Sequence, residues 1–87
     1  MNKIDYIFTL ASSRETAIMI ISILTKEYKD LFKTCNIDIT PVNYSDWLMV
    51  LNINFKNSSS EELEKFINNL IDYKLVGEDW KLAKECE

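Results

Sequence analysis

The chain has 87 residues, of which 47% are apolar and 28% are charged, and its formal net charge at pH 7 is −4. This length predicts that residues 1–87 form a single domain around one hydrophobic core. Because so small a core leaves a domain marginally stable, we expect dense packing or self-association to add to its stability. The acidic balance and the single arginine argue against nucleic acid as a partner, since phosphate contacts require Lys or Arg.

The first third of the chain predicts a strand followed by a long helix. Apolar and mostly polar side chains alternate at the start, as in a strand with one buried face. That face holds Ile4, Tyr6, Phe8 and Leu10. Residues 11–13 are expected to turn the chain, with Ser12 and Glu15 forming a capping box. Residues 13–33 then have the apolar spacing of one continuous helix, with a stripe formed by Ala17, Ile20, Ile21, Leu24, Tyr28, Leu31 and Phe32.

The middle of the chain predicts a second extended segment that begins near residue 37. Pro41 has no N–H to donate to a strand ladder, so this segment is expected to be an edge strand or to end at the proline. Val42 and Tyr44 would continue it past a bulge. Residues 45–46 are a plausible hairpin turn into the next strand.

The clearest strand signal lies at residues 47–55, where one face is wholly apolar: Trp47, Met49, Leu51, Ile53 and Phe55. Serines at positions 58–60 are expected to break this strand and to cap a second helix. Ser58 and Ser59 are alternative caps, because each has a glutamate three residues later. The stripe of that helix runs to about residue 74.

The predicted order is strand, helix, strand, strand, helix, and residues 80–83 add either a last strand or a last helical turn. We therefore expect an α+β fold in which two helices pack on one face of an antiparallel sheet, because this arrangement buries both apolar stripes. With the last strand the arrangement would be ferredoxin-like, and without it a truncated variant. This topology carries no sequence motif and gives no function.

The sequence predicts no catalytic site, no metal site and no cofactor. It has no histidine, the usual general base and metal ligand, and its two distant cysteines, Cys35 and Cys86, cannot supply the four ligands of zinc. The acidic pairs at 61–62 and 78–79 are typical of a helix start and a solvated turn, although an enzyme that uses carboxylates is the less favoured alternative. Free thiols, no visible signal peptide and no long apolar segment predict a cytoplasmic protein. The missing catalytic groups predict that it is not an enzyme.

The start of the first helix is the best candidate for binding a small anion. Ser12, Ser13 and Arg14 bring hydroxyl groups, a guanidinium group and free backbone N–H groups together. A regulatory domain that senses an anionic ligand at this loop is therefore one functional hypothesis. The simpler alternative is that the serines only cap the helix.

The leading hypothesis rests on apolar residues that the predicted core does not use. On the first helix, Met19 and Ile23 point away from the main stripe. On the sheet face opposite the helices, an apolar set is expected where water-facing residues would normally be polar, consisting of Ile7, Leu48, Val50, Val42 and Tyr44. Such a surface predicts a partner protein or a homodimer, unless Trp80 and Leu82 fold over it. Small acidic proteins of AT-rich genomes, a composition that the Asn, Ile and Lys content suggests, include regulators and phage-encoded inhibitors.

Overall fold

Three strands and three helices make up the part of the chain that the computed structural model describes, residues 2–43 and 45–77. In chain order they are β1 (Lys3–Ser13), α1 (Arg14–Glu27), α2 (Lys29–Lys33), β2 (Cys35–Pro41), β3 (Leu48–Ser59) and α3 (Ser60–Asp72). The predicted α+β class and the order strand, helix, strand, strand, helix are confirmed, with the first helical segment divided into α1 and α2.

The strands form an antiparallel sheet in the order β1-β3-β2. β1 pairs with β3 along its length, so that Ser13 lies opposite Leu48. β2 pairs with the other edge of β3 and ends with Pro41 opposite Met49. Within the described residues β2 is therefore an edge strand that ends at the proline. The predicted continuation of the strand through Val42 is wrong, because Val42 lies beyond the end of β2. A ferredoxin-like sheet would need a fourth strand, and the segment predicted for it, residues 80–83, lies outside the described residues.

The hydrophobic core lies between the sheet and the helices, and Phe66 of α3 is at its centre. The fully buried Phe66 ring has centroid distances of 6.4 Å to Phe8, 6.0 Å to Phe55 and 5.4 Å to Tyr28. The predicted apolar face of β3 is buried from Leu51 to Phe55, whereas Trp47 precedes the strand and is 66% exposed. Aliphatic side chains complete the core: Ala17, Ile20, Leu24, Leu31, Leu51, Ile53, Leu63, Ile67, Leu70 and Val76.

The start of α1 differs from the prediction, because β1 continues through residues 11–13 instead of turning. Pairing with β3 keeps Ser12 in the strand. Ser13 is the N-cap instead, and its Oγ accepts a hydrogen bond of 3.2 Å from the backbone N–H of Thr16. The expected capping box of Ser12 and Glu15 is therefore wrong by one residue.

The predicted continuous helix over residues 13–33 is interrupted at Tyr28, where α1 ends and α2 begins. The Tyr28 hydroxyl donates to the backbone carbonyl of Lys65 at 3.3 Å, and its ring lies edge-on to Phe66. The Tyr28 backbone has φ −132° and ψ 58°, outside the helical region, and Leu31 of α2 is buried in the core.

β3 extends beyond its predicted end at residue 55 and runs to Ser59. The serine segment therefore does not break the strand. Asn57 adopts a left-handed φ of 51°, a conformation that asparagine tolerates better than most residues. Ser59 is the N-cap of α3 and accepts a hydrogen bond of 3.4 Å from the N–H of Glu62. Of the two predicted caps, Ser59 is thus correct and Ser58 is wrong.

Phe66→Ala is expected to lower the free energy of unfolding by about 3–5 kcal/mol, because it removes a buried ring and leaves a cavity. The matched control Phe32→Ala removes a ring that is 42% exposed and should have a much smaller effect. Urea unfolding followed by circular dichroism measures both. If Phe66→Ala does not fold, Phe66→Leu gives the smaller cavity for the same comparison. Equal losses at positions 66 and 32 would contradict the placement of the core.

Candidate protein-interaction surface

The predicted anion-binding residues do meet at the junction of β1 and α1. The Ser12 hydroxyl donates to the backbone carbonyl of Ser13 at 3.0 Å. The Ser13 hydroxyl donates to Thr16 Oγ1 at 3.2 Å while it accepts the Thr16 N–H. Arg14 is exposed on the first turn of the helix. Both serine hydroxyls are thus engaged within the junction, which is the role that serine plays at a helix start.

The sheet face opposite the helices carries the predicted apolar residues, but a polar row divides them. Ile7 is 62% exposed on β1, while Leu48 and Val50 are half-buried on β3. Between Ile7 and Val50, the Thr9 hydroxyl donates to Asn52 Oδ1 at 2.6 Å across the two strands. This face is therefore a mixed surface and not one continuous apolar patch.

The outer side of α1 brings Met19 and Ile23 together in a shallow hollow that Ile18 also lines. Met19 is 50% exposed, whereas Ile23 packs in part against the core. Lys26 and Glu27 border the hollow at its polar end. Of the two apolar side chains predicted to lie outside the main stripe of α1, Met19 is therefore the one that is clearly exposed.

A second shallow hollow lies between the start of α1, the end of β2 and the start of β3. Ile18, Ile39 and Met49 line it, with Arg14 at its border. Ile18 is 53% exposed and Ile39 is 40% exposed. Because Ile18 lines both hollows, the apolar surface is continuous from α1 to β2. We call Ile18, Met19, Ile39 and Met49 the α1–β2 patch.

Of the four patch residues, the sequence predicts only Met19 as an interface residue, and it assigns Met49 to the buried face of its strand. Ile39 falls on the helix-facing side of β2 by alternation, which would be buried if a helix covered that corner. Ile18 follows the buried Ala17, and the signal for it is two consecutive apolar residues, 18 and 19, beside the main stripe. Tyr44, which was also predicted to belong to an interface, lies outside the described residues.

A third hollow, at the start of α3, has mixed polar lining that includes Lys3, Lys65, Glu61 and Glu62. Charges of both signs there do not select one kind of ligand. Across residues 2–43 and 45–77, no three Cys, Asp or Glu side chains come together as metal ligands. The predicted acidic pair at 78–79 lies outside the described residues.

Comparisons with known proteins give no guide to function. No protein-family model, curated protein or solved structure matches the chain. In the part of the chain that the structure describes, no helix is both long and apolar enough to cross a membrane. The α1–β2 patch is therefore the feature from which we argue a function.

Cys35 is the first residue of β2, the strand that carries Ile39, and it is a free thiol. It is half-buried, and its Sγ–H donates to the backbone carbonyl of Phe32 at 3.3 Å. Burial raises the pKa of the Cys35 thiol above its ordinary value, because the charged thiolate loses solvation. Cys86 lies outside the described residues.

Ser13→Ala is expected to lower the free energy of unfolding by about 0.5–2 kcal/mol, because the N–H of Thr16 loses its cap. Ser12→Ala is the matched control, since Ser12 is a strand residue and not the cap. Urea unfolding compares the two variants. A larger loss at Ser12 than at Ser13 would place the cap where the sequence pattern put it.

In a Cys86→Ser variant, alkylation of Cys35 by iodoacetamide should have a higher pH midpoint in the folded protein than in urea. Thiolate is the reactive form, and burial shifts its formation to higher pH. Rates measured across the ordinary range of thiol pKa values test this. A folded-state midpoint equal to the unfolded one would show that burial does not control this thiol.

Proposed function

We propose that this protein is a non-enzymatic protein-interaction domain of the cytoplasm, a small regulator or inhibitor that acts by binding a partner protein or a second copy of itself. The observation that carries this proposal is the α1–β2 patch. Single exposed apolar side chains are common on protein surfaces, but contiguous ones are typical of binding surfaces.

The shape and chemistry of the patch fit a macromolecular partner better than a small ligand. Its two hollows are shallow and meet side by side at Ile18, whereas small-molecule sites are concave and enclose their ligand. Methionine and isoleucine supply the apolar area, with Met19 able to adapt to an uneven partner surface. Arg14 at the border of one hollow adds a charged rim.

The double variant Ile18→Ser, Met19→Ser should weaken complex formation by about tenfold or more, because two side chains lose the apolar area they would bury. Both side chains are about half exposed, so we expect the fold to tolerate the change. Native mass spectrometry of the purified chain, and of complexes recovered with it from its source cell, compares the variant with the wild type.

Tyr73→Ser is the control for this experiment, because Tyr73 is a large side chain that is 55% exposed outside the patch. Circular dichroism confirms that each variant is folded before its complexes are compared. If wild type, double variant and control all form the same complexes in the same amounts, the patch is not a binding surface. The proposal would then lose the observation that supports it.

A further inference from the structure

We propose that a second copy of this chain binds along the outer edge of β2, by antiparallel pairing of the two β2 strands about a two-fold axis at Ile37. This inference rests on the proposed function, since it selects the second copy as the partner and assigns the edge through which it binds. Three features of the structure support it: the hydrogen-bonding phase of β2, the side chains on the two faces of this strand, and the position of the α1–β2 patch.

The phase of the ladder determines which backbone groups of β2 face outward. The N–H of Val42 donates to the carbonyl of Leu48, and the N–H of Lys56 donates to the carbonyl of Thr34, each at 3.2 Å. The register is constant between these two pairs, and bonded pairs alternate with non-bonded pairs in an antiparallel ladder. Even-numbered residues of β2 therefore bond to β3. The residues whose N–H and C=O groups point away from β3 are Cys35, Ile37 and Ile39.

This outward edge has no strand beside it among the described residues. An unpaired edge is a template for another strand, and a two-fold axis lets identical strands satisfy each other. With the axis at Ile37, this residue bonds to its own copy, and Cys35 bonds to the partner's Ile39 on each side of it. About six backbone hydrogen bonds would form, following the alternation of an antiparallel ladder.

Charge complementarity favours this register over the one shifted toward the proline. Asn36 and Asp38 are exposed on the face of β2 away from the helices. With the axis at Ile37, each Asp38 carboxylate lies opposite the partner's Asn36, whose amide can donate to it. Moving the register by one step toward the proline puts Asp38 opposite the partner's Asp38, and like charges directly opposite each other are destabilising.

The same pairing covers part of the apolar surface on the helix side of the sheet. The Ile39 side chain, 40% exposed and next to Ile18 and Met49, would lie beside the partner's Cys35. The two Ile37 side chains would meet at the axis. A second copy thus uses both the unpaired backbone groups of the edge and the apolar side chains beside them. Because the paired segment is short, we expect a weak dimer whose population depends on concentration.

The test compares charge changes at residue 36, whose side chain is exposed on the face of β2 away from the helices. Asn36→Asp should weaken the dimer roughly three- to thirtyfold, since it puts a carboxylate opposite each Asp38, and Asn36→Lys should strengthen it at low salt. Asn68→Asp and Asn68→Lys on the exposed side of α3 are the matched controls and should leave it unchanged. Sedimentation from about 1 μM to 1 mM measures the dimer across the range in which a small interface dissociates.

Amide hydrogen exchange supplies a readout that locates the contact. Exchange of the Ile37 and Ile39 amides should slow as concentration rises, whereas the Asp38 amide, which bonds to β3, should be protected at every concentration. A chain that stays monomeric up to the highest concentration would overturn the pairing. So would a dimer that is indifferent to the charge at residue 36.

The outcomes separate this inference from the proposed function. A dimer abolished by Ile18→Ser, Met19→Ser but unaffected by Asn36→Asp would overturn β2 pairing and support binding through α1. A chain that stays monomeric but forms a complex with a different protein through Ile18 and Met19 would also overturn β2 pairing and support binding through α1. Dimerisation that follows the charge at residue 36, with concentration-dependent protection of Ile37, would support the β2 edge.

Discussion

The rest of the structure depends on the packing of Phe66 at the centre of the core, between the sheet and the first helical segment. Its ring meets Phe8 from β1, Phe55 from β3 and Tyr28 from the junction of α1 and α2. Through this one side chain α3 contacts β1, β3 and the junction of α1 and α2. The Tyr28 hydroxyl adds a hydrogen bond to the carbonyl of Lys65, and burial raises the pKa of Tyr28, because the phenolate would lose solvation. The break in the first helical segment falls at the residue that makes this attachment.

The exposed surface follows from how the helices are connected to the sheet. β1 passes directly into α1 at Ser13 and Arg14, with no loop that would let the helix shift sideways. The first turn of α1 therefore starts beside the end of β1 and borders the far corner of the sheet instead of covering it. Ile39 and Met49 occupy that corner, and their helix-facing side chains line an open hollow. The α1–β2 patch is therefore exposed where α1 borders this corner of the sheet without covering it.

Sequence periodicity predicts that the strands exist and which residues at their centres are buried, because alternation is a local property, but it does not predict where the strands end. Leu51, Ile53 and Phe55 are fully buried as their spacing predicted. The serine-rich junctions were harder, since neighbouring serines offer equivalent caps when only local sequence is considered. Strand pairing decided between them: β1 pairs as far as Ser13 and β3 as far as Ser59, so the last strand residue becomes the cap in each case. A local sequence pattern cannot predict such long-range pairing, nor the contact of Tyr28 with α3 at the point where the helix is interrupted.

The candidate surface, too, could be predicted only where the local sequence pattern is sufficient. Met19 could be predicted because it leaves the helical stripe, whereas Ile39 could not, because alternation gives the face of a side chain but not what lies over it.

Pro41 affects both the sheet and the edge along which another strand could pair. Its odd-numbered place in β2 turns the proline nitrogen away from β3, so the missing N–H costs the ladder no hydrogen bond. The same phase means that outward donors end before Pro41. One proline thus leaves the sheet intact and limits how far another strand can pair along its edge.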